Sequence, residues 1–178
     1  AYRAHESERR WTDVQRQRVF EGAVLAAMQG DADRAETEIE RAQQLGASEG
    51  RMHLLRGQAD WHAARFGSAY EHFVVAAEQM PENLAAQSLL ALSLMKRQDY
   101  ARGEAMMPSI RLLTPRRLED YLYHARLENY YDSQQAVKLL DEAVERDKTS
   151  IVARLVRGDV RMARAVDSAD LEDARTAV

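Results

Sequence analysis

The chain repeats itself every 34 residues, and that period limits it to a small set of folds. Ala23, Gly57, Ala91, Ala125 and Gly158 fall in one column, at steps of 34, 34, 34 and 33. Ala35, Ala69, Gly103 and Ala136 form a second column, Ile39, Phe73, Met107 and Leu140 a third, and Ala42, Ala76, Ile110 and Ala143 a fourth. Pro81 and Pro115 are also 34 apart. Columns kept in phase over several units mark a stack of supersecondary units, because no unit can bury its apolar face alone.

Each column has a physical meaning. Small residues recur where two helices must approach closely, and large apolar residues recur four positions later on the same helical face. Turn signals separate the columns: Gly30-Asp31, Phe66-Gly67-Ser68, Gln98-Asp99-Tyr100 and Asp132-Ser133-Gln134. Pro81 and Pro115 end the second helix of their units, since Pro cannot continue a helix. A unit therefore reads as a helix, a short turn and a second helix. Composition agrees: three Pro and eight Gly leave little to break helices, and β-branched residues are sparse beside Ala, Leu, Glu, Gln and Arg. The chain has no cysteine, which excludes disulfides and thiolate chemistry. Among its 25 bases only Lys96, Lys138 and Lys148 are lysines, an arginine bias expected of a GC-rich bacterial genome.

These residues resemble the tetratricopeptide repeat (TPR) family. Gly57, Ala69, Phe73, Ala76 and Pro81 match its pattern best. Leu90, Ala91, Leu94, Met107 and Pro115 match in the next unit, with Gly103 at the usual Ala. Ala35, Ile39 and Ala42 carry the first unit, and Tyr121, Ala125, Ala136, Leu140 and Ala143 the fourth, where Lys148 replaces the Pro. The resemblance implies an all-α, right-handed α-solenoid of antiparallel helix pairs. It divides the chain into residues 1–15, an N-terminal extension of a long first helix running from Glu6 to Gln29, and a TPR-like array over 16–178. The array has four complete repeats (16–49, 50–83, 84–117 and 118–150) and a truncated fifth (151–178). The fifth carries an acidic loop over 166–170 and a second helix from near Leu171. A start at Ala1 and an end inside a helix are expected of a fragment of a longer protein.

Chemistry is sparse. The five His (His5, His53, His62, His72 and His124) include no pair at the i, i+4 spacing of a zinc-binding helix. No Gly-rich phosphate loop or nucleophile elbow is present, so no cofactor, metal or catalytic role is expected. Asp31 reads as a helix cap, and His53 and His62 could share a neighbourhood with Asp60. A net charge of −4 argues against a nucleic-acid partner. No stretch is apolar enough to span a membrane, so no membrane contact is expected. The expected location is cytoplasmic, or extracytoplasmic if the fragment succeeds a membrane anchor.

In TPR proteins the first helices line a concave wall that holds a peptide, and the resemblance places a groove here. Its wall would be Phe20, Val24 and Met28 in the first unit, and Leu54, Gln58, Trp61 and His62 in the second. Leu92 and Met95 would follow in the third, and Leu122, Arg126 and Tyr130 in the fourth. The expected ligand is a protein or peptide held by apolar and aromatic contacts, with Trp61 as anchor. The Lys–Asn pairs with which some TPR proteins clamp a terminal carboxylate are missing. Arg154, Arg157, Arg161 and Arg164 share one helical face, and the register turns it toward Glu128, Asp141, Glu142 and Glu145, which favours ion pairs. Arg56 and Asp60 are spaced for a local pair. The expected function is a non-catalytic protein- or peptide-binding module. The alternatives are a regulatory or sensory region of a multidomain bacterial enzyme such as a Ser/Thr kinase, and a self-association module.

Overall fold

The computed structural model describes residues 13–162, and every regular element among them is helical. The helices are α1 (Asp13–Met28), α2 (Ala32–Gln44), α3 (Glu49–His62), α4 (Phe66–Gln79), α5 (Leu84–Lys96), α6 (Tyr100–Ile110), α7 (Leu118–Glu128) and α8 (Ser133–Arg146). Residues 151–162 are also helical and are called α9 below. The early part of the expected first helix, with Trp11, lies outside the described residues. So do Arg164, the loop at 166–170 and the helix expected from Leu171.

Several helices begin where short polar side chains take up the free N–H groups of a first turn. Asp31 accepts from the Arg34 N–H at 3.0 Å, Ser48 from Arg51 at 3.3 Å and Asn83 from Ala86 at 2.9 Å. Asp132 accepts from both Gln134 and Gln135 at 3.0 Å. The expected turn at Phe66-Gly67-Ser68 lies three residues earlier. Ala64 takes the left-handed conformation (φ 59°), and Phe66 already opens α4. Gly67 merely sits in the first turn of that helix. Pro81 follows α4 closely, whereas α6 ends at Ile110, well ahead of Pro115, and accommodates Pro108 near its end.

Helices neighbouring in sequence pack together from α1 to α6, as do α7 and α8, and α1 also packs on α3 and α5 on α7. The column residues are the contact points: Ile39, Phe73, Met107 and Leu140 are buried, as are Ala42, Ala76, Ile110 and Ala143. Gly57 shows why its column is small. A Cβ there would stand 2.5 Å from the Phe73 ring, a distance no packed core accepts.

Candidate functional site

Side chains from α1 and α3 reach across the molecule to α7, and this closes the wall expected to be open. Phe20, Val24, Leu54, Gln58, Leu92, Met95 and Leu122 are all buried. The Phe20 ring meets Tyr123 edge-on at 6.2 Å, and His62 Nε2 lies 3.2 Å from the Tyr123 hydroxyl. Trp61 is half-buried and packs on Phe66 and Phe73, with ring centroids 5.2 and 6.2 Å apart. Arg126 pairs with Asp159 at 3.7 Å, so its charge is spent on α9. Met28 and Tyr130 are exposed. The twelve residues therefore do not form one open groove. A stripe rich in large apolar side chains finds its own helices first, because burial against them removes the same area from water as a ligand would.

The closure is ionic as well as apolar. Arg51 on α3 forms a two-pronged pair with Glu119 on α7, and its Nη2 donates to Oε2 at 2.9 Å. Gln58 Nε2 reaches the same oxygen at 3.4 Å. Burial alone would raise the Glu119 carboxyl, but the Arg51 guanidinium outweighs it and holds the group below its usual range. Further along, Gln17 donates to Asp147 and the Ser150 hydroxyl to Glu21, which ties α1 to the loop between α8 and α9.

The four described histidines each meet other side chains. His53 and His72 face each other through their Nδ1 atoms at 2.9 Å, and His72 Nε2 is 3.9 Å from Asp60. Of the two histidines expected near Asp60, His53 meets His72, which borders it, whereas His62 lies against Tyr123. Burial lowers the pKa of His62 to about 3, with help from the Arg126 charge, and burial also lowers His72 and His124. Arg56 pairs with Glu36 at 3.1 Å rather than with Asp60, which Arg65 holds at 2.6 Å. Arg157 and Arg161 both pair with Asp141, at 3.4 and 2.7 Å. Arg154 instead donates to the backbone carbonyls of Thr149 and Ser150, and Glu128 is taken by Arg111. No group of three or more potential metal ligands occurs among the described residues.

An open site lies at the end of the molecule where α3, α5 and α7 begin. A cavity of about 440 Å³ is lined there by Arg16, Arg51, Arg116 and Arg117. Ser48 and Asn83, the caps of α3 and α5, stand on its rim beside Pro81 and Leu84. Gly46, at φ 88°, makes the left-handed turn that carries the chain from α2 to that rim. Asp120 fixes the geometry. It accepts from the backbone N–H of Arg116 at 2.9 Å, of Arg117 at 2.8 Å and of Ala85 at 3.2 Å, so one carboxylate joins the starts of α7 and α5. Burial, with the charge of Glu119, raises its pKa. Four arginines outnumber the two carboxylates, Glu82 and Asp120, in the lining of this space, and that balance favours an anion.

None of these arginines stood out in the sequence. A signal existed nonetheless: Arg51 and Glu119 are 68 residues apart, two periods, so they hold the same register position in different units. Opposite charges in one inward column point to an ion pair across the stack. Comparison with protein-family models, with curated proteins and with solved structures finds no match to this chain.

Proposed function

We propose that this chain is a non-catalytic module that binds a protein or peptide, and that it grips an acidic segment of its partner at the arginine-lined end. A right-handed TPR-like stack of helix pairs is the frame of this reading, with the ligand at the end of the stack rather than along its inner wall. The cavity of about 440 Å³ between Arg16, Arg51, Arg116 and Arg117 is the observation that carries it. Met80, Pro81 and Leu84 give the same cavity an apolar side. A peptide that alternates acidic and apolar side chains suits such a lining.

The test is calorimetric titration of the chain with matched Glu-rich and Lys-rich peptides. The acidic peptide should bind and weaken as salt rises, because guanidinium–carboxylate attraction is screened. Replacing Arg116 and Arg117 together by Glu should abolish that binding. Equal affinity for both peptides, or no effect of the charge reversal, refutes the reading.

A further inference from the structure

His53 on α3 and His72 on α4 are 19 residues apart, so no helical spacing links them in the sequence. The turn at Ala64 packs α4 against α3, and the two rings meet through their Nδ1 atoms at 2.9 Å. Both side chains are only half-buried. Two neutral imidazoles that meet in this way share one proton, donated by one Nδ1 and accepted by the other. The surroundings decide which. Asp60 Oδ2 stands 3.9 Å from Nε2, the other nitrogen of His72. Arg65 holds the Asp60 carboxylate at 2.6 Å and the Ser68 hydroxyl donates to it, which fixes its position. The negative charge of Asp60 keeps the His72 proton on Nε2 and leaves the Nδ1 lone pair facing His53. A carboxylate behind an imidazole that presents its other nitrogen forward is the arrangement that orients histidine ligands on metal ions.

The spacing narrows the choice of ion. Metal–nitrogen bonds of ~2.0–2.1 Å set two ligand nitrogens ~2.9 Å apart at a right angle and ~3.3 Å apart at the tetrahedral angle. The observed 2.9 Å matches the right angle, as between neighbouring ligands of a tetragonal ion. That geometry suits Cu(II) or Ni(II). The outer torsion of a histidine is broad, so small turns of the two rings aim both lone pairs at one point. The ion takes the place of the shared proton. His53 gives up the proton on Nδ1 and takes one up on Nε2, so both rings stay neutral. Charge suits a cation as well: Asp60 and Glu71 act on His72 against Arg56, and Arg56 is itself paired with Glu36 at 3.1 Å. A cavity of about 260 Å³ borders His53 and Glu49, one turn before it on α3, and gives water ligands room to complete the coordination.

We infer that His53 and His72 together bind a divalent transition metal ion, Cu(II) or Ni(II), as two neighbouring nitrogen ligands. The ion staples the two helices of one unit to each other. None of Arg16, Arg51, Arg116 and Arg117 takes part, so the inference stands apart from the acidic-peptide reading.

The experiment titrates the whole chain with copper, nickel, zinc and magnesium chlorides in a calorimeter, in a weakly coordinating buffer. The chain carries His5→Gln, which removes the one histidine outside the described residues. One Cu(II) or one Ni(II) should bind per chain, and Mg(II) should not, because it prefers oxygen ligands. Zn(II), which favours the wider tetrahedral angle, should bind more weakly than Ni(II). His53→Gln or His72→Gln should each weaken Cu(II) binding at least tenfold. Both side chains are half-exposed, so an unchanged helical circular-dichroism signal is expected. Asp60→Asn should weaken binding about tenfold and keep one ion per chain, since it loosens the orientation of His72 without removing a ligand. Pulsed electron paramagnetic resonance of the Cu(II) form should show two coupled imidazoles, a readout that needs no variant of the pair to fold. Fewer than two coupled imidazoles, absence of binding, or full-strength binding by both single variants overturns the inference. Tighter binding of Zn(II) than of Ni(II) overturns the right-angled geometry, and unchanged affinity in Asp60→Asn overturns the positioning role of Asp60.

Discussion

At the centre of the molecule α1, α3 and α7 meet, with Phe20, Leu54, Leu122 and Tyr123 buried among them. One turn nearer their N-termini, the same helices part around a cavity. The difference lies in the side chains that each level presents. Apolar groups gain by leaving water and draw their helices together. Guanidiniums keep their hydration and repel one another, so the end stays open. Arg51 belongs to both levels, and it is tolerated at the centre only because Glu119 meets it there. One helix face can thus seal at one turn and present a site at the next.

The sharpest way to break this contrast is to remove Arg51. Arg51→Ala leaves Glu119 charged and buried, and should cost ~3–5 kcal/mol in urea denaturation. Replacing the pair together, Arg51→Met with Glu119→Leu, should recover most of that loss, because apolar residues of similar volume suit a buried centre. If the double variant is no better than the single, the pair does more than neutralise itself.

Acid should loosen the centre before it affects the end. The folded state keeps His62 neutral, with a pKa of about 3, whereas the unfolded chain takes up a proton below about 6.5. Its contribution is therefore full above pH 6.5 and lost as pH falls toward 3, amounting to ~2 kcal/mol by pH 5. His72 and His124 shift in the same direction and add to the slope. His62→Gln should reduce the loss of stability between pH 7.5 and pH 5 by about that amount. Equal slopes for the two proteins would place His62 in water.

Overpacking of the repeat columns tests the helix crossings themselves. Ala76→Leu should cost on the order of 1–3 kcal/mol, while Ala32→Leu, at an exposed helix start, should cost far less. The smallest effect belongs to the open end. Arg116→Gln should change stability by less than ~0.5 kcal/mol, because the side chain is exposed, while measurably weakening acidic-peptide binding in the same calorimeter.

Much of the frame could be read from the columns. The size of the residue at a helix crossing is set by local packing, and local packing repeats with the sequence. Ala69, Phe73 and Ala76 are all buried, as their columns require. The candidate site was not legible in the same way. Whether a wall of first helices stays open depends on the sum of small rotations between units, and no single residue encodes that sum. Phe20 looks the same in sequence whether it awaits a ligand or meets Tyr123. The turn before α4 is hidden for a simpler reason: Ala64, not the nearby Gly67, takes up the left-handed conformation.

The bonds from Gln17 to Asp147 and from Ser150 to Glu21 join positions 130 and 129 residues apart. In a linear array each unit depends only on its neighbours, so ends can fray and partial arrays can persist. Here α1 is completed by residues of the distant loop between α8 and α9, which raises the mean sequence separation of native contacts. Assembly must then wait for a long loop to close, which slows folding relative to a stack with neighbour contacts alone. On a ribosome, α1 would emerge with part of its native surface unmet until nearly the whole described chain had followed it.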